Sequence, residues 1–193
     1  MTTLIIGLVL FLGLHSTRFV ADGARSRFIA QRGTNAWRGL YSLVSAIGLV
    51  LIVWGYSLTL QQPVVLRDPP AWVRSLATAI TLPGIVLIAA AYVPRNHFKA
   101  WVGHPMVLGT AVWAFAHLLA IRTLADVLLF GGFLLWAVLC LRSLRARDRA
   151  ADVQRAPAAW LPSLIAIAVG AALWFAFGFW LHARLIGISV WPT

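Results

Sequence analysis

Two histidines carry most of the chemistry available to this chain. His15 lies within an apolar stretch long enough to cross a bilayer, and His104 stands directly before Pro105 at the mouth of another. An ionisable side chain at membrane depth is costly and is normally paired, so the two imidazoles are the leading functional signal. A neutral imidazole ligates a metal, relays a proton or hydrogen-bonds to a neighbouring helix. Other chemistries have less to work with. The five acidic residues are all Asp and fall mostly between the apolar stretches, so carboxylate-rich zinc or di-iron centres are hard to build. Ser16 adjoins His15, but neighbours on a helix point about 100° apart and no acid accompanies them, which argues against a serine nucleophile. Cys140 is the lone cysteine and forms no intrachain disulfide.

The elements that must position these residues follow from composition. With 61% hydrophobic residues, 11% charged residues and a mean hydropathy of +0.86 over 193 positions, a soluble domain would expose far too much apolar surface. An all-α, polytopic membrane bundle is expected, with six spans: Thr3 to Ala21, Leu40 to Leu60, Val73 to Val93, Pro105 to Ile121, Leu124 to Leu141, and Trp160 to about Ile188. The fourth and fifth are short and joined by a tight turn. The connections are too small for a separate soluble core, so residues 1–193 read as one transmembrane unit. The first stretch has its basic residues after it rather than before it, the reverse of a secretory signal, and is expected to be a retained helix.

The net charge of +11 is distributed by side. Arg18, Arg25, Arg27, Arg32, Arg38, Arg95, Lys99, Arg142, Arg145, Arg147, Arg149 and Arg155 occupy the odd-numbered connections, against Arg67, Arg74, Arg122 and Arg184 on the other side. The positive-inside rule makes the odd connections cytoplasmic and places both termini on the other side of the membrane. No aromatic-interleaved soluble module surrounds the basic residues, which excludes nucleic acid and leaves the lipid bilayer, including anionic headgroups, as their partner. Trp37, Trp72, Trp101, Trp160 and Trp191 stand near segment ends as an aromatic belt. Ser42 with Ala46, and Ala166 with Gly170, are small pairs that permit close helix approach. Residues 142–155 read as a charged linker, helical or mobile.

Topology then sorts the histidines by depth. His15 and His104 both fall near the cytoplasmic level, whereas His117 and His182 form an outer pair. His117 follows His104 by thirteen residues, about 20 Å of helical rise, so those two cannot share an ion. His97, in a short connection, is expected to be solvated. Two imidazoles from different helices suit six-coordinate haem iron, and an apolar bundle can bury the porphyrin. Each histidine could equally be a structural hydrogen-bonding residue. Arg18, one turn after His15, would reach a haem propionate or a lipid phosphate, or snorkel to the interface. Tyr41 and Ser42 open the second span at the same level, where they line the same pocket or merely pack and cap.

Three blocks carry a family resemblance: LFLGLHSTR (Leu10 to Arg18), WRGLYSLVSAIGLVLIVWGY (Trp37 to Tyr56) and HPMVLGTAVWAFAHLL (His104 to Leu119). Together with the LIGISVWP ending (Leu185 to Pro192), they resemble the NnrU family of bacterial membrane proteins over nearly the whole chain. The resemblance implies an association with denitrification and with nitrite or nitric oxide reductase systems. The family is related to the plastid zeta-carotene isomerase, a membrane enzyme that uses haem b, and its haem-linked histidines lie in motifs similar to those at His15 and His104. By that resemblance His15 and His104 are metal ligands; Arg18, Tyr41 and Ser42 are candidate cofactor-binding residues by their shared level alone. Gly103 stands where relatives commonly have Arg, and the stretch His117 to Asp126 lacks the Asn-Gly that often follows the histidine motif.

Three functional classes remain open at this stage. The first is a haem b protein serving nitrogen-oxide metabolism. The second is a membrane enzyme acting on a lipid or isoprenoid, an isomerase or a methyltransferase, since an HP motif opening a helix also resembles the isoprenylcysteine methyltransferase group. The third is a non-catalytic assembly subunit.

Overall fold

In a computed structural model of the chain, residues 1–187 are described. The final residues of the LIGISVWP block, with Trp191, lie outside them. Helices dominate: α1 (Thr2–Val20), α2 (Asp22–Arg32), α3 (Thr34–Thr59), α4 (Ala71–Ala90), α5 (His97–Val102), α6 (Pro105–Leu119), α7 (Leu124–Ala150) and α8 (Trp160–Ala176), the last continued by a π-helical turn (Phe177–Leu181) into α9 (His182–Ile186). Five helical stretches are long and apolar enough to cross a membrane, with α6 a shorter apolar helix between them. At 15 residues α6 spans about 22 Å, less than the roughly 30 Å of hydrocarbon. The expected polytopic helical bundle is therefore the observed fold.

Packing runs as a row. The strong helix contacts are α3 with α1, α1 with α7, α7 with α6, α6 with α4, and α4 with α8. Helices α3 and α8 close the two ends, and their outer faces carry exposed Leu43, Ile47, Val50 and Trp54, and Leu161, Leu164 and Ile167. Lipid satisfies such faces, so cohesion inside the row must come from close backbone approach rather than from apolar burial.

Glycines supply that approach. A Cβ on Gly55 would lie 2.6 Å from Leu4 Cα, and one on Gly7 would lie 2.6 Å from Ile52 N, so α1 and α3 meet almost backbone to backbone. At the α4–α6 crossing, Gly84 and Gly109 face each other, a Cβ on Gly84 falling 3.1 Å from Gly109 O. Gly170 of α8 rests on Val86 in the same way, at 2.6 Å from its Cα. Of the two small pairs expected to form seams, Ala166 with Gly170 is buried, but Ser42 with Ala46 is exposed. The α3 seam uses Gly48, Ile52 and Gly55, one face further round the helix.

Several boundaries differ from expectation, with clear causes. The first connection is helical: α2 fills residues 22–32 and α3 begins at Thr34 rather than near Leu40, with Gly33 at φ +84° making the break. Phe28 packs edge-on to Trp37, and Arg25 lies over the same indole, holding α2 against α3. The charged stretch after Leu141 continues α7 to Ala150, giving a helix of 27 residues, about 40 Å long, that outreaches the hydrocarbon. Proline fixes two other features. Pro105 sits at the first position of α6 with His104 as its N-cap, and Pro83 interrupts the hydrogen bonding inside α4 beside Gly84.

The less basic end is tied by polar contacts. Thr123 and Asp126 form a capping box at the start of α7, and Leu66 N donates to Arg122 O at 2.8 Å, laying the α3–α4 connection across that end. Arg67 Nε donates to Ile121 O at 3.1 Å, and its Nη2 donates to Leu119 O, capping the carbonyls left open where α6 stops.

Candidate functional site

His15 is enclosed by rings from three helices. Its own α1 contributes Phe11, stacked at 4.2 Å between centroids. From α3 comes Tyr41 at 5.1 Å, and from α7 comes Trp136 at 6.0 Å and nearly perpendicular. The imidazole Nδ1 is 2.7 Å from Phe11 O. A carbonyl only accepts, so Nδ1 carries the proton and the lone pair of the neutral ring is on Nε2. A backbone bond that fixes the tautomer and aims the other nitrogen is the usual support of a metal-ligating histidine.

The helices around His15 also carry unpaired polar groups. Among the described residues, the buried side-chain polar atoms without a hydrogen-bond partner are Trp136 Nε1 and Ser45 Oγ. Trp136 borders His15, and Ser45 is one turn from Tyr41 on the same side of α3. Each orphaned group costs about 1–3 kcal/mol unless something in the pocket engages it. The groups here that could engage a ligand are the His15 Nε2 lone pair, the Trp136 N–H and the Ser45 hydroxyl.

His104 does not share this pocket. It caps α6, and its Nε2 donates to Asp148 Oδ2 at 2.9 Å. His15 meets α7 at Trp136 and His104 reaches α7 at Asp148, twelve residues on, or about 18 Å along the axis. The two imidazoles therefore meet α7 at different heights. Each of the two histidines thus has one ring nitrogen bonded and one left with its lone pair: Nε2 of His15 and Nδ1 of His104.

The remaining expected site residues divide. Tyr41 is in the pocket. Ser42, the next residue, is exposed on a different side of α3, and Ser45 occupies the position expected for it. Arg18 is exposed in the last turn of α1, and its carbonyl accepts from Arg147 Nη1 at 3.3 Å. His97, expected in solvent, is docked instead. Its backbone N–H donates to Ser163 Oγ at 2.9 Å, its Nδ1 lies 2.8 Å from the same oxygen, and its ring lies 4.2 Å from that of Trp160. The short connection folds as α5, started by fully buried Asn96, which caps it and also donates to Ala90 O and Val93 O.

Gly103 also has a structural explanation. Its φ of +75° favours glycine, and the Arg155 guanidinium sits where a side chain would project, 2.8 Å from Cζ to a notional Cβ. Arg155 Nη1 donates to Ala100 O and Trp101 O at 3.1 and 3.2 Å, and its Nη2 approaches Asp148 Oδ2 at 3.6 Å. A cation from the α7–α8 connection thus stands beside the carboxylate that His104 engages.

At the other end, His117 Nδ1 donates to Trp113 O at 2.8 Å while its ring stacks on Phe130 at 4.3 Å. His104 and His117 engage α7 at Asp148 and Phe130 respectively, consistent with their separate sites. Asp126 is buried and saturated: Tyr56 OH donates to it at 2.6 Å, and the Arg122 and Thr123 N–H groups donate at 2.9 and 2.8 Å. Asp126→Ala removes the cap and strands the Tyr56 hydroxyl, with an expected loss of about 2–4 kcal/mol. Thermal melting in detergent checks this, and Tyr56→Phe should recover little of that loss.

Among the described residues, no group of three or more His, Cys, Asp or Glu side chains is placed to hold a metal ion. The fold and the His15 pocket together define a polytopic helical membrane protein with a ring-walled histidine between three helices. The model of the NnrU protein family matches residues 3–190, and the chain belongs to that family. No curated protein and no solved structure matches it.

Proposed function

We propose that this NnrU protein binds haem b on His15 within a bacterial inner membrane, with both termini periplasmic. In this reading it serves denitrification as a redox, haem-handling or accessory partner of a nitrite or nitric oxide reductase system. The observation that carries the reading is the His15 pocket: Nδ1 is spent on Phe11 O, which leaves Nε2 as a coordinating lone pair among Phe11, Tyr41 and Trp136. Bound there, haem would supply one-electron transfer or capture of a small gaseous ligand. The chain's own residues orient the imidazole, wall the pocket with rings and offer the Trp136 N–H and Ser45 hydroxyl to polar atoms of the ligand. A second histidine ligand at His104, as the family's relatives imply, would use Nδ1, because Nε2 is bonded to Asp148; the rings gathered around His15 are the reason we assign it as the anchoring ligand. The cytoplasmic placement of the His104 end is supported by twelve of the sixteen basic side chains falling on that side.

Spectra of the purified full-length chain test the proposal. Protein from haem-replete cells should show a Soret band and, on reduction, the α band of haem b. Colourless protein from such cells would remove the haem reading and favour an assembly subunit whose histidines hold helices together.

A further inference from the structure

We propose that a cavity at the basic end, between α5, the last turns of α7 and the α7–α8 connection, binds a phosphate monoester or diester. It encloses about 260 Å³ and is lined by Trp101, Val102, Arg145, Asp148, Arg149 and Arg155. A second cavity of about 200 Å³ adjoins it, sharing Asp148 and Arg155 and adding Arg95, Lys99 and His104. Arg145 and Arg149 are four residues apart on α7, so their guanidinium groups project from one face, and Asp148 and Arg155 complete the rim.

Charge is out of balance there. Asp148 is the one carboxylate lining either cavity, and it is already engaged by His104 at 2.9 Å and Arg155 at 3.6 Å. Among the described residues, Arg145 and Arg149 have no ion pair, because every other Asp with an ion pair makes it elsewhere: Asp22 with Arg25, and Asp68 with Arg74 and Arg122. Several cations held around one spent carboxylate repel one another, and an anion entering the cavity reverses that cost. Guanidinium forks match the paired oxygens of a phosphate, and three converge on this space. The level suits such a group. Trp101 is 64% exposed beside the cavity, and α7 runs past the hydrocarbon before reaching Arg145, so the site lies where headgroup phosphates and dissolved phosphate both have access.

The test uses the full chain in uncharged detergent, with R145Q/R149Q as the cavity variant and R27Q/R32Q on α2 as the charge-matched control. Two probes are applied: phosphatidylglycerol, read by native mass spectrometry as retained lipid, and inorganic phosphate, read by its effect on Tm. At least one should bind the wild type and the control saturably, and its affinity should fall at least about tenfold in R145Q/R149Q, as expected for lost charged hydrogen bonds. Retained lipid alone identifies a headgroup site, and stabilisation by phosphate alone identifies a soluble ligand. The inference is overturned if neither probe binds the wild type, if the cavity variant binds as the wild type does, or if the control loses as much as the cavity variant.

Discussion

Replacing Gly55 by leucine should prevent the bundle from assembling. Its Cβ would lie 2.6 Å from Leu4 Cα, and the obstacle is backbone of a buried residue rather than the end of a flexible side chain. Overpacking a core that can shift side chains costs about 1–3 kcal/mol. Here relief requires α1 and α3 to separate, which undoes the seam through Gly7, Gly48 and Ile52 and displaces the Leu4 and Leu8 cluster from Ala125 and Leu129 of α7. The expected loss therefore exceeds about 3 kcal/mol, enough to abolish recovery of monodisperse protein. Gly109→Leu should act alike at the α4–α6 crossing, where a Cβ would meet Ile88 N at 3.0 Å. Gly13→Leu provides the contrast: nothing stands within 4 Å of its Cβ position, so its melting temperature should match the wild type. Size-exclusion profiles and thermal melts of the three variants check the ordering.

The glycine seams show where reading the sequence succeeds and where it stops. Apolar length alone located the spans, because a bilayer imposes one length scale on every crossing segment. Small residues four apart were visible too, yet that spacing occurs on every face of a helix and does not say which face has a neighbour. Ala166 with Gly170 was legible as a seam, while Ser42 with Ala46 turned out to face outward. The pocket repeats the lesson. Depth points to His15 and to the level of Tyr41 and Ser42, but level does not distinguish helix faces: Ser42 is exposed, while Ser45, one turn from Tyr41, shares its side. Trp136 gave no signal in an aromatic-rich chain, since its importance lies in an unpaired N–H that only packing reveals. His97 read as solvated because its partner Ser163 is 66 residues away. Gly103 read as a missing cation because Arg155 arrives through space.

The second large effect concerns haem retention. Removing groups that merely support a metal ligand weakens affinity by about 10–100-fold, so His15→Ala, which removes the coordinating nitrogen itself, should cost at least about 100-fold. His104→Ala should leave haem content within about twofold of wild type, because His104 meets α7 at Asp148, away from the rings that surround His15, and Arg155 remains beside that carboxylate after the change. A haem lost from His15→Ala through global unfolding would be accompanied by a collapsed melt. That is not expected, since the imidazole bonds only to its own helix and its neighbours are ring contacts. The most direct measurement is the haem b content per chain, by pyridine haemochrome, of the wild type, His15→Ala and His104→Ala purified side by side. Haem lost in His15→Ala and kept in His104→Ala is the predicted result; equal loss from both variants, or full haem content in His15→Ala, would contradict the assignment of His15 as the anchoring ligand.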